Sequence, residues 1–372
     1  MSSAMAKNEV VLLGVGDMGP IHEPIRPYSE LVRPKLAGAD IRFAQAERLY
    51  SDRGALQVTG IKRGRLKPHM ISVFSDCGFD VVSLAGNHAM DWGEDALMDT
   101  MSLLQERGIQ TVGAGRNLEE ATRPVFIERN GVRVAILAYC SVVNENYHAG
   151  PDRPGIAPLR VRTFYEPMEF QPGMPPKVLT FLYEEDLAAM VANIAATKKV
   201  ADVVVLSLHW GIHFLPKLIA DYQPVAAKAA FAAGADLILG HHAHVPKAIG
   251  VHDGKVCFYS LGNFIISTHE RNAEQLADFN RRTHGSVVLD PDYPRLGFGV
   301  DSKRTLVAKA VLSQKGVDKV SFLPTFIDKQ LRPDILQHGD PRFDEAVKYM
   351  EWASDAFDHK FTVAGDEVVV SA

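Results

Sequence analysis

The sequence contains few cysteines, which excludes a disulfide-built protein. Only three occur in 372 residues, Cys77, Cys140 and Cys257, and no two of them form a Cys-x-x-Cys pair. An odd number of widely separated cysteines argues against a disulfide framework. All three lie in apolar or mixed stretches with the composition of strands, so we predict that they are inert thiols of the protein core.

Long apolar runs and a strong excess of one charge are also absent. No window contains the 18 or more apolar residues that a membrane-spanning helix needs. The first apolar run stops at Gly16-Asp17 and is too short for a typical signal peptide, which predicts a cytoplasmic location. The formal net charge is −5, so neither nucleic acid nor an anionic membrane is an expected partner.

What the chain does contain is a repeated order of strand, polar loop and helix. Hydrophobic periodicity predicts strands at 10–17, 80–85, 108–115, 131–140, 201–211 and 235–240. Helical spacing of apolar residues predicts helices at 92–108, 184–199 and 222–233. This order predicts an α/β fold in which helices cover the sheets.

The length allows one large domain or two ordinary ones, and we predict one. It covers residues 8–330, with a Pro- and Gly-rich insertion at about 141–180 that could shape a substrate pocket. A β-hairpin is expected at 305–327, and residues 331–372 are expected to form a helical extension packed on the domain, with a helix at 341–357. In the polar segment 267–300, Arg281, Arg282 and His284 could contact an anionic substrate, although a solvated charge run is the commoner case.

Metal-binding residue types recur at the ends of four predicted strands. The residues concerned are Asp17, Asn87, His88, His209, His241, His242 and His244. In α/β folds the loops after the carboxyl ends of strands carry the chemistry. Imidazole and carboxylate groups on a rigid frame are suitable ligands for transition metals. His242 and His244, two residues apart, could point to one metal or to two adjacent metals, and the role of His241 stays open.

A resemblance to a known family rests on five segments. They are GVGDMG, DIRFAQAE, SLAGNHAMDWGEDALMDTMSLLQERGIQTVGAGRNLEEA, VVVLSLHWGIHF and GADLILGHHAHVPKAIGVHDGKVCFYSLGNFI, within about residues 10–266. They are similar to the CapA (poly-gamma-glutamate capsule) family, a branch of the calcineurin-like metallophosphoesterase superfamily. The resemblance implies a metallophosphoesterase-like four-layer α/β/β/α sandwich with a C-terminal elaboration.

The resemblance also implies a dinuclear centre of divalent transition-metal ions, for which Mn, Fe and Zn are all suitable. The ligands it implies are Asp17 and His244 for the first metal, Asn87, His209 and His242 for the second, and Glu47 as a bridge. From the residues alone, Asp17 could instead cap a loop, and Glu47 could be a surface acid paired with Arg48. Two cations that share a water lower its pKa toward neutrality and polarise a bound substrate oxygen.

Three further residues would act beside the metals. The resemblance implies that His88 lies over the substrate and that Asp91 orients its ring, because a His–Asp pair fixes one tautomer for proton transfer. Asp91 could also cap the helix that begins at Trp92. Where many relatives have glutamate, this chain has His213, which adds a possible general acid or base at the rim. Asn263 more often fixes a turn than contacts a substrate.

The sequence also departs from the superfamily pattern and leaves three functions open. The usual Asp-x-His motif is Asp17-Met18-Gly19 here, so one histidine ligand is missing. The first function is hydrolysis of a phosphoester, ester or amide in a small-molecule substrate. The second is a lyase or isomerase reaction at the same metal–histidine site, with an apolar pocket to which Tyr50, Trp92, Trp210 and Phe214 could contribute. The third is an accessory role in poly-gamma-glutamate synthesis or export.

Overall fold

The computed structural model describes residues 8–60, 64–169 and 176–372. Within these ranges the strands are β1 (Val10–Gly19), β2 (Ile41–Ala46), β3 (Leu49–Tyr50), β4 (Arg65–Leu66), β5 (Val81–Ser83), β6 (Gln110–Val112), β7 (Ala114–Gly115), β8 (Val125–Arg129), β9 (Val132–Cys140), β10 (Gly155–Ile156), β11 (Val161–Glu166), β12 (Lys177–Leu182), β13 (Val203–His209), β14 (Leu237–His241), β15 (Ile249–His252), β16 (Lys255–Phe258), β17 (Asn263–Ile266), β18 (Arg304–Ser313), β19 (Gly316–Ile327), β20 (Pro333–Ile335), β21 (Lys360–Ala364) and β22 (Glu367–Ser371). The α-helices are α1 (Arg33–Leu36), α2 (Ser72–Asp76), α3 (Gly93–Gln105), α4 (Leu118–Ala121), α5 (Glu184–Lys198), α6 (Tyr222–Ala233), α7 (Ala273–Arg282) and α8 (Pro341–Ser354).

The larger sheet combines a parallel half with an antiparallel half. Its strand order is β21-β22-β19-β18-β1-β2-β5-β6, with β17 paired to β1 and β20 to β19. Strands β1, β2, β5 and β6 run parallel, and β17 also runs parallel to β1. Strands β18 to β22 are joined by antiparallel pairing. The carboxyl ends of the parallel strands therefore meet at one edge of the sheet.

The smaller sheet has the order β15-β16-β14-β13-β9-β8. Its central strands β9, β13, β14 and β16 are parallel, and antiparallel strands close both edges. Helices α5 and α6 precede β13 and β14 and provide the crossovers that parallel pairing requires.

The two sheets pack face to face, and helices cover their outer sides. Alternate residues of a strand point to opposite faces. Ile136 of β9 accordingly joins the core shared with the larger sheet, whereas Leu137 packs with residues of α5 and α6. The sheets approach closely at Gly14, where a Cβ atom would lie 2.7 Å from the Leu239 side chain. Helix α3 contacts β6 on the larger sheet. These layers confirm the predicted α/β/β/α sandwich.

Most predicted elements occur where periodicity placed them. The hairpin at 305–327 is β18–β19, and the closing helix is α8. Within the expected insertion at 141–180, β11 pairs with β12, while residues 170–175 lie outside the described ranges. The expected helical extension over 331–372 also contains β20, β21 and β22, and β22 pairs with β19 in the larger sheet. The alternating valines of β22 explain this, since Val368 and Val370 are buried and Val369 is not.

The described residues also bear on the cysteines and on membrane-spanning helices. All three cysteines are buried and unpaired, as predicted. Within the described part of the chain, none of the helices has both the length and the apolar character needed to cross a bilayer.

Candidate metal centre

The predicted ligands follow strands whose carboxyl ends meet between the two sheets. From the larger sheet come Asp17 near the end of β1, Glu47 directly after β2, and Asn87 in the loop after β5. From the smaller sheet come His209 at the end of β13, and His242 and His244 after β14. His88, Asp91 and His213 lie in the loops beside them, so the structure brings together all nine residues that the sequence indicated.

Glu47 lies between two groups of ligand atoms. Its Oε1 is 3.3 Å from His244 Nε2, and its Oε2 is 3.8 Å from His209 Nε2. Asp17 completes the first group, because ligand atoms of Asp17, Glu47 and His244 all lie within 4.8 Å of one another. One carboxylate thus presents an oxygen to each group, as a bridging ligand does.

The second group is formed by nitrogen and amide oxygen atoms. His209 Nε2 lies 2.8 Å from Asn87 Oδ1 and 3.2 Å from His242 Nδ1. The three atoms converge on a small volume, and Glu47 Oε2 faces the same volume. This mixed nitrogen and oxygen set is suitable for Mn, Fe or Zn.

Unpartnered buried atoms provide a test of whether the site fits a cation. Asp17 Oδ1 and Glu47 Oε2 are buried and accept no hydrogen bond from the described residues. His209 Nδ1 is also buried without a partner. Leaving a buried polar group unsatisfied costs about 1–3 kcal/mol, and more if it is charged. A cation between the carboxylates would offset that cost, so the residues present fit a metal.

The pKa values of the ionisable groups indicate the same preference for a cation. Burial lowers the pKa of His209 to about 4 and holds the pKa of His242 well below its usual value, which keeps both rings in the neutral form that binds metals. Burial and the nearby charge of Glu47 raise the pKa of Asp17. Burial opposes charge on His244 too, but Glu47 and Asp17 outweigh it and raise the His244 pKa. Positive charge is therefore favoured between the two carboxylates.

Asn263 orients His244. Its Oδ1 lies 2.8 Å from His244 Nδ1, and its Nδ2 donates to the backbone oxygens of His244 and Ser302 at 3.0 and 3.2 Å. A proton on Nδ1 leaves Nε2 free to face Glu47, which is the usual arrangement around metal-binding histidines. The register of β1 and β17 places Asn263 beside Asp17. From the sequence, Asn263 was expected to fix a turn more often than to contact a substrate.

Asp91 orients His88 and does not cap the following helix. Its Oδ2 lies 2.8 Å from His88 Nδ1, and its Oδ1 accepts a hydrogen bond from the Tyr147 hydroxyl at 3.3 Å. Trp92 occupies the N-cap position of α3 without a capping hydrogen bond from its side chain. His88 Nε2 is 3.7 Å from Glu47 Oε1, so the ring faces the centre.

His213 packs against the second group of ligand atoms. Its ring centroid is 3.8 Å from that of His242 and 4.6 Å from that of Phe214, with which it stacks. Burial lowers the His213 pKa to about 3, so the ring is neutral at neutral pH. His241, whose role was open, lies behind Asp17 with its ring 5.9 Å from that of Phe43.

The backbone is strained at the centre. His242 and His244 have φ angles of 89° and 59°, and Phe214 has a φ of 66°. Each such conformation costs a non-glycine residue about 1–3 kcal/mol, and it persists only where its surroundings hold it. The His242 N–H donates to Asp17 Oδ2 at 3.1 Å, and the Phe214 N–H donates to the Ala243 oxygen at 2.9 Å. These bonds tie both strained loops to the ligand frame.

A large cavity and a small cavity meet at His88. The large cavity has a volume of about 690 Å³ and reaches His88, His213 and His244 at its base. The small one, of about 330 Å³, is bounded by Asn87, His88 and Asp91. Of the four aromatic residues suggested by the sequence, Phe214 lines the large cavity, whereas Tyr50 and Trp210 are buried in the core.

Comparison with known proteins gives the same family as the sequence motifs. A family model described as "Bacterial capsule synthesis protein PGA_cap" matches residues 9–268. The chain is 34% identical over 197 residues to the PGA biosynthesis protein CapA of Bacillus subtilis (strain 168), an alignment that covers 53% of this chain and 45% of that protein. It is 30% identical over 226 residues to a probable polyglutamine synthesis accessory protein of Mycobacterium tuberculosis, covering 57% of this chain and 53% of that protein.

The chain spans about half the length of the curated relatives it matches. Among solved structures, the calcineurin-like phosphoesterase YfkN from Bacillus subtilis is 12% identical with a TM-score of 0.42, and the match covers 93% of this chain and 99% of that one. The family model spans well over half of this sequence, including every residue of the candidate metal centre. The chain therefore belongs to the CapA family of bacterial capsule synthesis proteins.

Proposed function

We propose that the protein is a metal-dependent hydrolase with a dinuclear centre. The ligands would be Asp17, Glu47, Asn87, His209, His242 and His244. The observation that carries this proposal is that the two buried carboxylate oxygens of Glu47 face separate groups of ligand atoms. Two unpartnered buried carboxylate oxygens, Asp17 Oδ1 and Glu47 Oε2, beside four converging donor groups support a bound cation, which metal-dependent hydrolysis requires.

Two divalent cations held by these residues would supply Lewis-acid polarisation of the substrate and would lower the pKa of a bound water. The chain's own groups would complete the reaction. Asp91 holds the proton of His88 on Nδ1, so that Nε2 is positioned to exchange a proton with the substrate. His213 would be the second group for proton transfer, and burial holds its ring in the neutral form by lowering its pKa to about 3. We infer a small-molecule substrate with a phosphoester, ester or amide bond, because the large cavity measures about 690 Å³.

A lyase or isomerase is the second candidate, and one observation favours it. His88 and His213 both line the large cavity, and both lie beside ligand groups. Two separate proton-transfer groups suit a reaction in which one removes a proton and the other returns it. An accessory role in polymer synthesis is the third candidate, supported by the names of the relatives.

Metal content tests the proposal directly. Protein purified without added metal and without a His-tag should contain two transition-metal equivalents by elemental analysis. His242→Ala should lose most of the second equivalent, because it removes one of the converging donors. His338→Ala is the matched control, since His338 is exposed and its contacts are with Asp366 and Phe343, outside the ligand set. Metal-free wild-type protein, or equal metal content in all three proteins, would contradict a dinuclear centre.

Substrate tests then separate the candidates. The metal-containing wild type should hydrolyse at least one of bis(p-nitrophenyl) phosphate, p-nitrophenyl phosphate, p-nitrophenyl acetate and the amide p-nitroacetanilide, and His242→Ala should not. Full metal content with no hydrolysis of any of the four would reject the hydrolase in favour of the non-hydrolytic candidate.

A further inference from the structure

Strands β11 and β12 form a small sheet of their own at the surface. Within the described part of the chain, each of the two strands pairs with no strand but the other. On the side of β12, the Thr180 N–H donates to Asp221 Oδ2 at 3.2 Å, beside the start of α6. Five of the six residues of β11 are exposed, and neither strand lines the two cavities at His88. This sheet is therefore separate from the candidate metal centre.

The outer edge of β11 carries backbone groups that no described strand pairs with. The Tyr183 N–H donates to the Arg160 oxygen at 3.0 Å, which fixes the residues of this chain segment that face β12. Backbone groups of successive residues point to opposite sides of a strand. The N–H and C=O groups of Val161, Thr163 and Tyr165 are therefore directed away from β12. An exposed edge of this kind is a template for a further strand.

Aromatic residues are exposed on both faces of this sheet. Phe164 of β11 and Phe181 of β12 share one face, are 52% and 53% exposed, and have ring centroids 5.8 Å apart. Tyr165 on the other face is 69% exposed. Natural proteins usually protect a free edge with charges, prolines or bulges, and a strand edge with exposed aromatic residues tends to pair. The surface is therefore suited to a partner that adds a strand.

The charges of β11 identify the strand that fits this edge. Arg162 and Glu166 lie two residues before and two residues after Phe164. An antiparallel copy of β11 about a two-fold axis at Phe164 places Arg162 of each copy opposite Glu166 of the other. The same register places Thr163 opposite Tyr165, so that their outward N–H and C=O groups meet as antiparallel pairing requires. Opposite charges and aromatic residues in facing positions stabilise paired strands.

We propose that the outer edge of β11 is a dimerisation surface whose partner is a second copy of this chain. The two copies form one four-stranded antiparallel sheet, in which Phe164 and Phe181 of both copies make a continuous aromatic row. Pro167 has no N–H and ends the ladder directly after the strand. The two-fold symmetry closes the assembly at two copies, and the small interface implies reversible association. The proposal does not depend on the proposed hydrolysis.

Sedimentation velocity of the full chain over a series of protein concentrations tests this surface. The wild type should change from monomer to dimer as the concentration rises. Arg162→Glu and Glu166→Arg should each weaken dimerisation about tenfold, because the symmetry turns two attractive pairs into two repulsive pairs. The double variant Arg162→Glu/Glu166→Arg reverses both charges and should recover most of the lost affinity. Arg107→Glu is the matched control, because Arg107 is also exposed and lies outside this sheet.

The outcomes that would overturn the proposal are distinct. They are a wild type that stays monomeric at every concentration, single variants that dimerise as well as Arg107→Glu, and a double variant no better than the single variants. Thermal unfolding of each variant must match that of the wild type. If it does not, Phe164→Asp replaces that variant, since it places two acids face to face at the axis and should also weaken the dimer.

Amide hydrogen exchange locates the contact within the dimer. Peptides that span 161–166 should become more protected as the concentration rises, because the N–H groups of Thr163 and Tyr165 become hydrogen-bonded. Peptides from α3, which lies outside this sheet, should exchange at the same rate in monomer and dimer. A dimer in which 161–166 gains no protection would use another surface, and that result would contradict the proposal.

Discussion

The metal centre and the cavity wall above it are built in different ways. The centre consists of polar residues, most of them buried, at the carboxyl ends of parallel strands, where two sheets face each other. The wall consists of aromatic and basic residues from the loop after β13, from α7 and from the segments around it. The sheets fix the ligand atoms to within ångströms, whereas the loops determine which molecules can reach them. The same ligand frame can therefore serve different substrates if the loops differ.

Replacing His213 is the strongest test of this difference between the metal centre and the cavity wall, because the ring of this wall residue packs against the ring of His242. We expect His213→Ala to keep the full metal content and to lower the turnover number by about 10²–10⁴, as loss of a general acid or base does. His284→Ala, which changes another histidine of the same cavity, should have a much smaller effect. Steady-state kinetics and elemental analysis on the same samples check both points. Loss of metal from His213→Ala would place His213 among the ligands of the centre instead.

Asn263 lies behind the centre and should affect metal binding without contacting a metal. Asn263→Ala removes the acceptor that holds His244 Nδ1. Loss of such an orienting group typically weakens metal binding by about 10–100-fold, which a chelator competition measures. Asn263→Asp keeps the acceptor oxygen and should recover part of the affinity. Asn193→Ala, which also removes an amide that bonds a backbone oxygen and a side chain, is the control. A loss as large in Asn193→Ala would show that general destabilisation is responsible.

Glu367 lies on β22 in the antiparallel half of the larger sheet and belongs to neither the metal centre nor the cavity wall. Its carboxylate accepts hydrogen bonds from Lys309, Lys319 and Ser321 across β18, β19 and β22. Burial raises the pKa of Glu367, but the bonds from the two lysines outweigh it and lower the pKa below the usual 4.5. We expect Glu367→Gln to lower the free energy of unfolding by about 1 kcal/mol at pH 7, with metal content unchanged.

The difference in the free energy of unfolding between the wild type and Glu367→Gln should depend on pH in one direction. Because the pKa of Glu367 is lower in the folded than in the unfolded protein, its stabilisation is fully present above the unfolded pKa, near 4.5. It is lost as the pH falls through the lower folded pKa. Urea unfolding of wild type and Glu367→Gln at matched pH values should show a difference that shrinks as the pH falls below 4.5. A difference that grows under acid conditions would contradict this account of the contact.

The sequence predicted the features that depend on a single residue type or on a short hydrophobic repeat. Period-2 and helical patterns placed β1, β13, β14, α5 and α6 within a few residues, because burial on one face determines those patterns. Candidate ligand types were also recognisable at the strand ends, because few other roles require so many histidines and acids after apolar runs. The C-terminal strand β22 was missed, because Val368 and Val370 in a strand of only five residues give a weak alternating pattern.

Residues that act through long-range contacts could not be assigned from sequence. Tyr147 reaches Asp91, which is 56 positions away, and Phe298 stacks on His244 from a segment without recognisable motifs. The positive φ angles of His242 and His244 also gave no sequence signal, because histidine at either position is compatible with many conformations.

The sequence by itself determined the order of the elements and the family, because both depend on residue type and local spacing, and the family resemblance in turn implied the candidate ligands. Only the tertiary structure decided that Glu47 faces two groups at once, that Asn263 holds His244, and that arginines and aromatic rings share one cavity. These relations depend on how two sheets pack against each other and on where distant loops meet above them. Side-chain distances of 3–4 Å arise from that packing, and no local pattern in the chain encodes them.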